Sequence, residues 1–553
     1  MEMIGTTEKN QDFKLFNFRP VFFGAVLLCL GVFFAYLHIV EGIALWWFLL
    51  LLPVAAIPFF FCKDRKAALS LLTAELCLFL CFWIGFHALR AQIDDFKSCG
   101  KYAGEQVVYG VVEEKEELGD SVLLVLTEVK INGQAEKGRL CAYLPASKCK
   151  QVERCATVLL RGEMKTDTSL LAEYGFRAND IEKGEHYVLW SENDVAVTGT
   201  GGGLFLRINA ELDKTIKAGI NQNAAAVAMG ILFGDVGGMD ASILRNIRVG
   251  GIAHVFAVSG LHVGVLYGFF AWLLKNTGLK SLPVWLRFLL LAFVLFFYAG
   301  ICGFTSSVLR ATVLCLCLYF SSVTEIKIDG LETIGFAAFL LLLFNPVALF
   351  TVGFQLSFLA CLGIILLAKP IGQVCVELVK YIGDLLKKGE EETQEEREER
   401  PLNLGELLLR DSIRLLSASI AAQITTAPVL LSVFGYLSGW SLLLNFIFVP
   451  LVSAVFALLL IFVLIAALLP LSAASVVLFI PNAVWSAVLL LFEIFDFTGF
   501  ALTGIAVSGA GCICYYLGWT FLTDKWNLSK THKAWLTALC AVGTLVCTLA
   551  ANL

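Results

Sequence analysis

Charge is scarce in this 553-residue chain: Asp, Glu, Lys and Arg make up 16% of it, against about 25% in a soluble globular domain. With 58% hydrophobic residues and a mean hydropathy of +0.80, the composition excludes an ordinary soluble protein and reads as a polytopic membrane protein. Histidine is rare, with six in all. Two of them, His254 and His262, lie close in sequence without a third ligand nearby, so no metal site is expected. No Gly-x-x-x-x-Gly-Lys-[Ser/Thr] loop occurs, so work done by this chain must draw its energy from elsewhere. No cofactor is expected.

Apolar runs approaching the roughly 20 residues of a bilayer crossing recur along the chain. The expected spans are 21–37, 43–61, 67–86, 255–274, 288–299, 304–320, 333–349, 354–367, 413–434, 440–469 broken at Pro450, 474–491, 500–522 and 535–550. The first follows Lys9, Lys14 and Arg19 and has no small-residue cleavage pattern, so it reads as a retained anchor. Lys63, Arg65 and Lys66 separate the second and third spans, whereas the 38–42 turn has neither Lys nor Arg. The positive-inside rule then puts the amino terminus in the cytoplasm and the segment after residue 90 outside. A single crossing at 440–469 leaves Lys525, Lys530 and Lys533 inside and the carboxyl terminus outside.

The expected organisation is three spans at 1–90, an extracytoplasmic β domain at 91–203, an interfacial and Gly-rich segment at 204–250, a helical core at 251–370, a charged cytoplasmic linker at 371–412 and a second part of the core at 413–553. Runs at 107–112, 121–131, 138–144, 155–162, 187–190 and 195–197 have the β-branched content of short strands, with Asn132-Gly133 as a hairpin turn. A small OB-like barrel inserted after the third span is the preferred form, with a small sandwich the alternative. This domain, counted from Leu89, holds 19 acidic and 14 basic residues, which is not the balance of a nucleic-acid groove. Lys137, Arg139, Lys148, Lys150 and Arg154 form at most a local basic patch. Cys99, Cys141, Cys149 and Cys155 fall on the side where disulfides persist, so at least one is expected, in a pairing the spacing does not decide. The alternation at 204–220 reads as an amphipathic helix along the interface.

Polar residues inside the apolar core are the candidates for function, because each is expensive in lipid. His254, Ser259, Gly260 and His262 fall in one run. On a helix Ser259 and His262 share a face, which suits path lining or gating, packing with a hydrogen bond, or, last, a serine nucleophile. Glu75, Glu493 and Asp496 leave an ion-coupled transporter open.

Ordered motifs then resemble a known family. They are Gly230-Ile-Leu-Phe-Gly-Asp235, His254-Val-Phe-Ala-Val-Ser-Gly-Leu-His262, Gly303-Phe-Thr-Ser-Ser-Val-Leu-Arg310-Ala311, Asn345-Pro346 with Gly353-Phe-Gln-Leu-Ser357-Phe, and Gln423 to Pro428 followed by Asn445 and Pro450. The chain resembles the ComEC-type competence proteins, which carry incoming single-stranded DNA across the bacterial cytoplasmic membrane. Many of these continue into a metallo-β-lactamase-like domain. This chain ends at Leu553 in an apolar segment without a His-x-His-x-Asp-His string, so strand degradation is not expected of it. The resemblance implies a DNA uptake channel working with an extracytoplasmic DNA receptor, a separate nuclease and a cytosolic motor, within membrane lipid and compatible with a homo-oligomer.

A path for a polyanion needs donors that touch phosphate transiently and release it. Ser306, Ser307 and Arg310 share one face of a helix, and Gln355, Ser357, Gln423, Thr425 and Asn445 supply neutral donors. Arg310 is the expected charge contact, its alternative being a structural pair with Asp235 or Asp240. No catalytic residue is expected. Transport of another anionic polymer or solute stands second and a membrane-embedded serine hydrolase third.

Overall fold

The computed structural model describes residues 19–43, 65–98, 102–166, 177–235, 237–256, 258–325, 329–386, 404–494, 501–503, 508–522 and 529–552. The expected span 43–61, the acidic run of the linker, Cys99 and Asp496 lie outside them almost entirely. The chain divides into two compact units. The larger comprises Val21–Gln355 and Ile447–Gly499, the smaller Met1–Pro20, Leu356–Phe446 and Phe500–Leu553.

In the larger unit, α1 (Pro20–Ile39) and α2 (Arg65–Ser98) approach through glycine. A Cβ on Gly31 would lie 1.9 Å from the Phe82 carbonyl oxygen and one on Gly85 2.3 Å from that of Leu28. Only hydrogen fits at either point, which is how helix backbones gain contact where lipid gives no hydrophobic push.

The β domain follows. Its strands are β1 (Gly104–Leu118), β2 (Ser121–Ile131), β3 (Gln134–Ala135), β4 (Arg139–Pro145), β5 (Ala156–Thr166), β6 (Glu185–Trp190) and β7 (Ala196–Thr200). Asn132 and Gly133 both take positive φ, 51° and 85°, the geometry of a two-residue hairpin that follows the strand twist. The turn joins β2 to the short β3, and β4 then returns to pair with β2. The strand order is β1-β2-β4-β6-β5-β7, with β1 also pairing β5 and with β4–β6 parallel. Alternation buries Val122, Leu124 and Leu126, then shifts phase to bury Val129 and Ile131. The cause is a bulge: Val111 pairs with Thr127 and Tyr109 with Lys130, and Glu128 between them has φ 52°.

The cysteine expectation is corrected for the described residues. Cys141, Cys149 and Cys155 are separate, buried thiols. Cys149 packs in the apolar core of the sheet, and burial together with the Glu185 carboxylate pushes the Cys141 thiol up. They behave as small hydrophobes.

The helices after the sheet are α3 (Ala178–Lys183, between β5 and β6), α4 (Leu204–Gly219), α5 (Gln222–Phe233), α6 (Ala241–Val249), α7 (Ala253–Phe256), α8 (Gly260–Asn276), α9 (Val284–Ile301), α10 (Ser306–Thr324) and α11 (Gly330–Phe344). They continue as α12 (Val352–Leu386), α13 (Leu404–Phe434), α14 (Ser441–Ala467), α15 (Leu471–Val477), α16 (Phe479–Ile494), α17 (Gly509–Leu522) and α18 (Lys530–Asn552), with a small β8–β9 pair at Tyr436–Ser438 and Ala501–Thr503. Among the described residues eight helices are long and apolar enough to cross a membrane, so the protein is a polytopic helical membrane protein.

Several expected spans differ. The 333–349 span ends at Phe344 after 15 helical residues and gives way to a 3-10 turn, Pro346–Phe350. The 474–491 span is two helices broken at Leu478, and the 500–522 span contains the strand Ala501–Thr503 and the helix Gly509–Leu522. The amphipathic α4 seats its apolar face on protein: Phe205 packs edge-on to Phe297 and sits against Gly300, and Gly219 lies against Leu478. Asn345, at the break after α11, accepts from Gln92 at 2.8 Å, and Gln92 accepts the Val347 N–H at 3.1 Å. The Asn345-Pro346 motif is thus a clip to α2.

In the smaller unit Gly363 of α12 lets Thr425 of α13 come close, and Thr425 Oγ1 donates to the Leu359 carbonyl at 2.9 Å. Pro428 interrupts α13. A proline has no N–H, so the carbonyl four residues back loses its helical donor. That carbonyl belongs to Ile424, and the Tyr515 hydroxyl of α17 donates to it at 2.8 Å. Tyr515→Phe should therefore lower stability by about 1 kcal/mol, read as a fall in the thermal midpoint of the purified protein in detergent; an unchanged midpoint would show that the carbonyl is satisfied otherwise.

Candidate functional site

Around the polar run the larger unit builds short helices joined by glycine. α5 ends at Gly234, whose φ of 85° turns the chain out of the helix. Asp235 then pairs with Arg154 of the β domain at 2.6 Å, and Arg154 also donates to Asn209 of α4 at 3.0 Å. Asp240 caps α6 through the Ser242 N–H and hydroxyl, each at 2.9 Å. The two carboxylates considered for Arg310 thus hold Arg154 and the start of α6.

Ser259 stands at the N-cap of α8 in an extended conformation, rather than inside the helix. Its Oγ accepts the Leu261 N–H at 3.3 Å, and His262 Nδ1 accepts the Ser259 N–H at 3.1 Å. This reciprocal pair is a capping box with histidine in the place usually held by Glu or Gln. The bond assigns the tautomer: neutral His262 carries its hydrogen on Nε2. The ring is fully buried, 4.6 Å from that of Phe456, and Nε2 has no hydrogen-bond partner among the described residues. Ser259 Oγ also lies 3.4 Å from His262 Nδ1, which already accepts the serine's own N–H.

Gly260 opens α8, and α10 crosses it there. A Cβ on Gly260 would lie 3.5 Å from the Ala311 Cβ and 3.6 Å from Arg310 Nη2. The Arg310 guanidinium, on a residue 6% exposed, thus rests against the first turn of α8. A helix N-terminus carries about half a positive charge on its free N–H groups. Arginine and helix end bring positive charge to one point in an apolar setting, an arrangement that favours an anion beside them.

The other candidates scatter. His254 sits on α7 beside the backbone of Gly251. Ser306 and Ser307 open α10, and the Ser306 hydroxyl bonds the Glu182 carboxylate of α3. Gln355 donates to the Leu349 carbonyl at 3.1 Å, closing the 3-10 turn before α12. In the smaller unit Ser357 lies on α12, Gln423 donates to the Ser438 carbonyl at 3.2 Å, and Thr425 holds α13 to α12. Asn445 in the second turn of α14 keeps Oδ1 buried with no hydrogen-bond partner among the described residues. Ser259, Gly260, His262 and Arg310 are therefore brought together, with Ser306 one turn before Arg310. Sequence reasoning missed Glu182, Asn209 and Phe456, whose partners lie far away along the chain.

The fold and this site define a polytopic helical membrane protein with a polar cluster at the capped start of a spanning helix. The Competence protein family profile matches residues 231–528, more than half of the chain, and the chain belongs to that family. It is similar to the ComE operon protein 3 of Bacillus subtilis (strain 168), 29% identical over 171 residues, which is 30% of this chain and 22% of that protein. The matched segment thus spans under a quarter of the relative's length. No solved structure matches the chain.

Ser259→Ala should destabilise the protein by about 1 kcal/mol through loss of the cap, and Ser259→Asn, another good N-cap, should recover most of it. Thermal unfolding in detergent reads both; equal midpoints for wild type and the alanine variant would remove the capping role.

Proposed function

We propose that this protein conducts single-stranded DNA across the bacterial cytoplasmic membrane during competence, and that Arg310 and the amino-terminal turn of α8 form its main phosphate contact. The observation that carries this reading is the Arg310 guanidinium resting against Gly260 at the capped start of α8. Membership of the Competence protein family supports it. One arginine and one helix end attract a phosphate without gripping a whole strand, and a strand has to leave as well as arrive. His254, Ser307 and Gln355 of the larger unit complete the polar lining in this proposal.

The β domain is read as an OB-like barrel outside the membrane. The circuit of pairings β1–β2–β4–β6–β5–β1, with its single parallel pair, supports that form. The amino terminus is placed in the cytoplasm by the Lys63 to Lys66 charges. An extracytoplasmic receptor would deliver the DNA, a separate nuclease would make it single-stranded, and a cytosolic motor would supply the work that this chain's sequence gives no nucleotide loop for.

The test is import of fluorescent single-stranded DNA into cells carrying wild type, a deletion, Arg310→Ala or Arg310→Lys at equal expression. Import should fall by at least about ten-fold in the deletion and in Arg310→Ala and be partly kept by lysine, in line with loss of a charge-assisted phosphate contact of roughly 1.5–3 kcal/mol. Normal import in the deletion would overturn the proposal and leave another anionic polymer or solute as the cargo.

A further inference from the structure

The outer surface of the β domain carries a feature that DNA conduction does not use. Ladder partners directly opposite one another share a face of the sheet. One row of partners runs Glu116, Leu123, Tyr143, Trp190, Glu163 and Glu105, across β1, β2, β4, β6, β5 and back to β1. Its neighbours along the strands, Leu124, Ala142, Leu189 and Met164, are buried in the core, so the row faces outward.

At its centre the Tyr143 and Trp190 rings stack, centroids 4.4 Å apart and planes at 13°. Trp190 is 51% exposed. Next to it across the ladder stands Glu163, and beyond Leu123 stands Glu116, both exposed. Among the described residues neither is in an ion pair, whereas Glu105 is already held by Arg161 at 2.8 Å. Other charges near the stack include Glu185, Lys165, two residues along β5 from Glu163, and Arg177, paired with Asp180 at 2.8 Å.

We infer that this row is a docking site for an arginine-bearing segment of a partner protein. A guanidinium is flat and weakly hydrated, so it stacks on an indole face while its N–H fork meets a carboxylate. Trp190 and Glu163 offer those two surfaces side by side. The charge pattern argues against a nucleic-acid strand here, because its phosphates would meet Glu163 and Glu116. Of the basic residues that would offset this, Arg139 is paired with Glu113, Lys148 with Asp194 and Arg154 with Asp235, which leaves Lys165 as the cation beside the row, against two carboxylates in it. This inference does not rest on the proposed function.

The test uses the full chain in nanodiscs of zwitterionic lipid, titrated into a fluorescein-labelled peptide of alternating arginine and glycine and, separately, into labelled oligo(dT), with anisotropy as the readout. The arginine peptide should bind wild type, and its Kd should rise by about ten-fold in both Trp190→Ala and Glu163→Lys. Glu128→Lys, on the exposed bulge of β2 away from the stack, should change it by less than about two-fold. An unchanged Kd in Trp190→Ala, or an equal loss in Glu128→Lys, would overturn the assignment. So would oligo(dT) binding that Trp190→Ala abolishes, which would make the stack a base platform.

Discussion

A hydrocarbon medium offers no water to an unpaired N–H or C=O, and the arrangement of this protein follows from that constraint. Four breaks or ends of apolar helices each bring a particular side chain with them. The Ile424 carbonyl left by Pro428 takes the Tyr515 hydroxyl. The Leu232 carbonyl in the last turn of α5 takes the Tyr298 hydroxyl at 2.8 Å. The start of α8 takes Ser259 and His262, and the break after α11 takes Gln92. Broken helices let polar residues stand at membrane depth, and capping holds them in one geometry. The amide N–H groups at the start of α8 are thereby held in a capped turn.

The same unit seats the β domain on the helical core through a few polar links. Arg154 reaches Asp235 and Asn209, Asn209 donates to the Ile301 carbonyl at 3.1 Å, and Ser306 bonds Glu182. The last link falls at the first residue of α10, the helix that carries Arg310 one turn later. The β domain and the candidate phosphate contact are therefore parts of one packed body, the larger unit. Charge falls into two regions within it. The Tyr143–Trp190 stack is flanked by carboxylates, and the α8–α10 crossing carries the Arg310 guanidinium.

Much of the fold was legible in residue order. Strand positions followed from β-branched runs, and the hairpin from Asn132-Gly133, because those signals act over a few neighbours. The bulge at Glu128 was not legible, since nothing local marks which strand takes an extra residue. The spans were legible where apolar length alone decides and failed where a short helix ends on a distant partner, as α11 does near Gln92. Within the site, the spacing of Ser259 and His262 predicted contact but not its form. Both were placed on one helix face, whereas Ser259 is the cap and His262 folds back on it. The four cysteines of the segment expected outside suggested a disulfide by compartment, but Cys141, Cys149 and Cys155 are buried, separate thiols. Gly260 stands in the polar run, but its neighbour Arg310 is visible only where α8 and α10 cross.

The account stands on phosphate passing the crossing of α8 and α10. Photo-crosslinking tests this most directly: benzoylphenylalanine at position 307, beside Arg310 on α10, is compared with the same group at Leu318, which is 56% exposed on the apolar part of that helix, during uptake of labelled single-stranded DNA. The account predicts a DNA adduct at 307 and none at 318. No adduct at 307, or equal adducts at both positions, would contradict it.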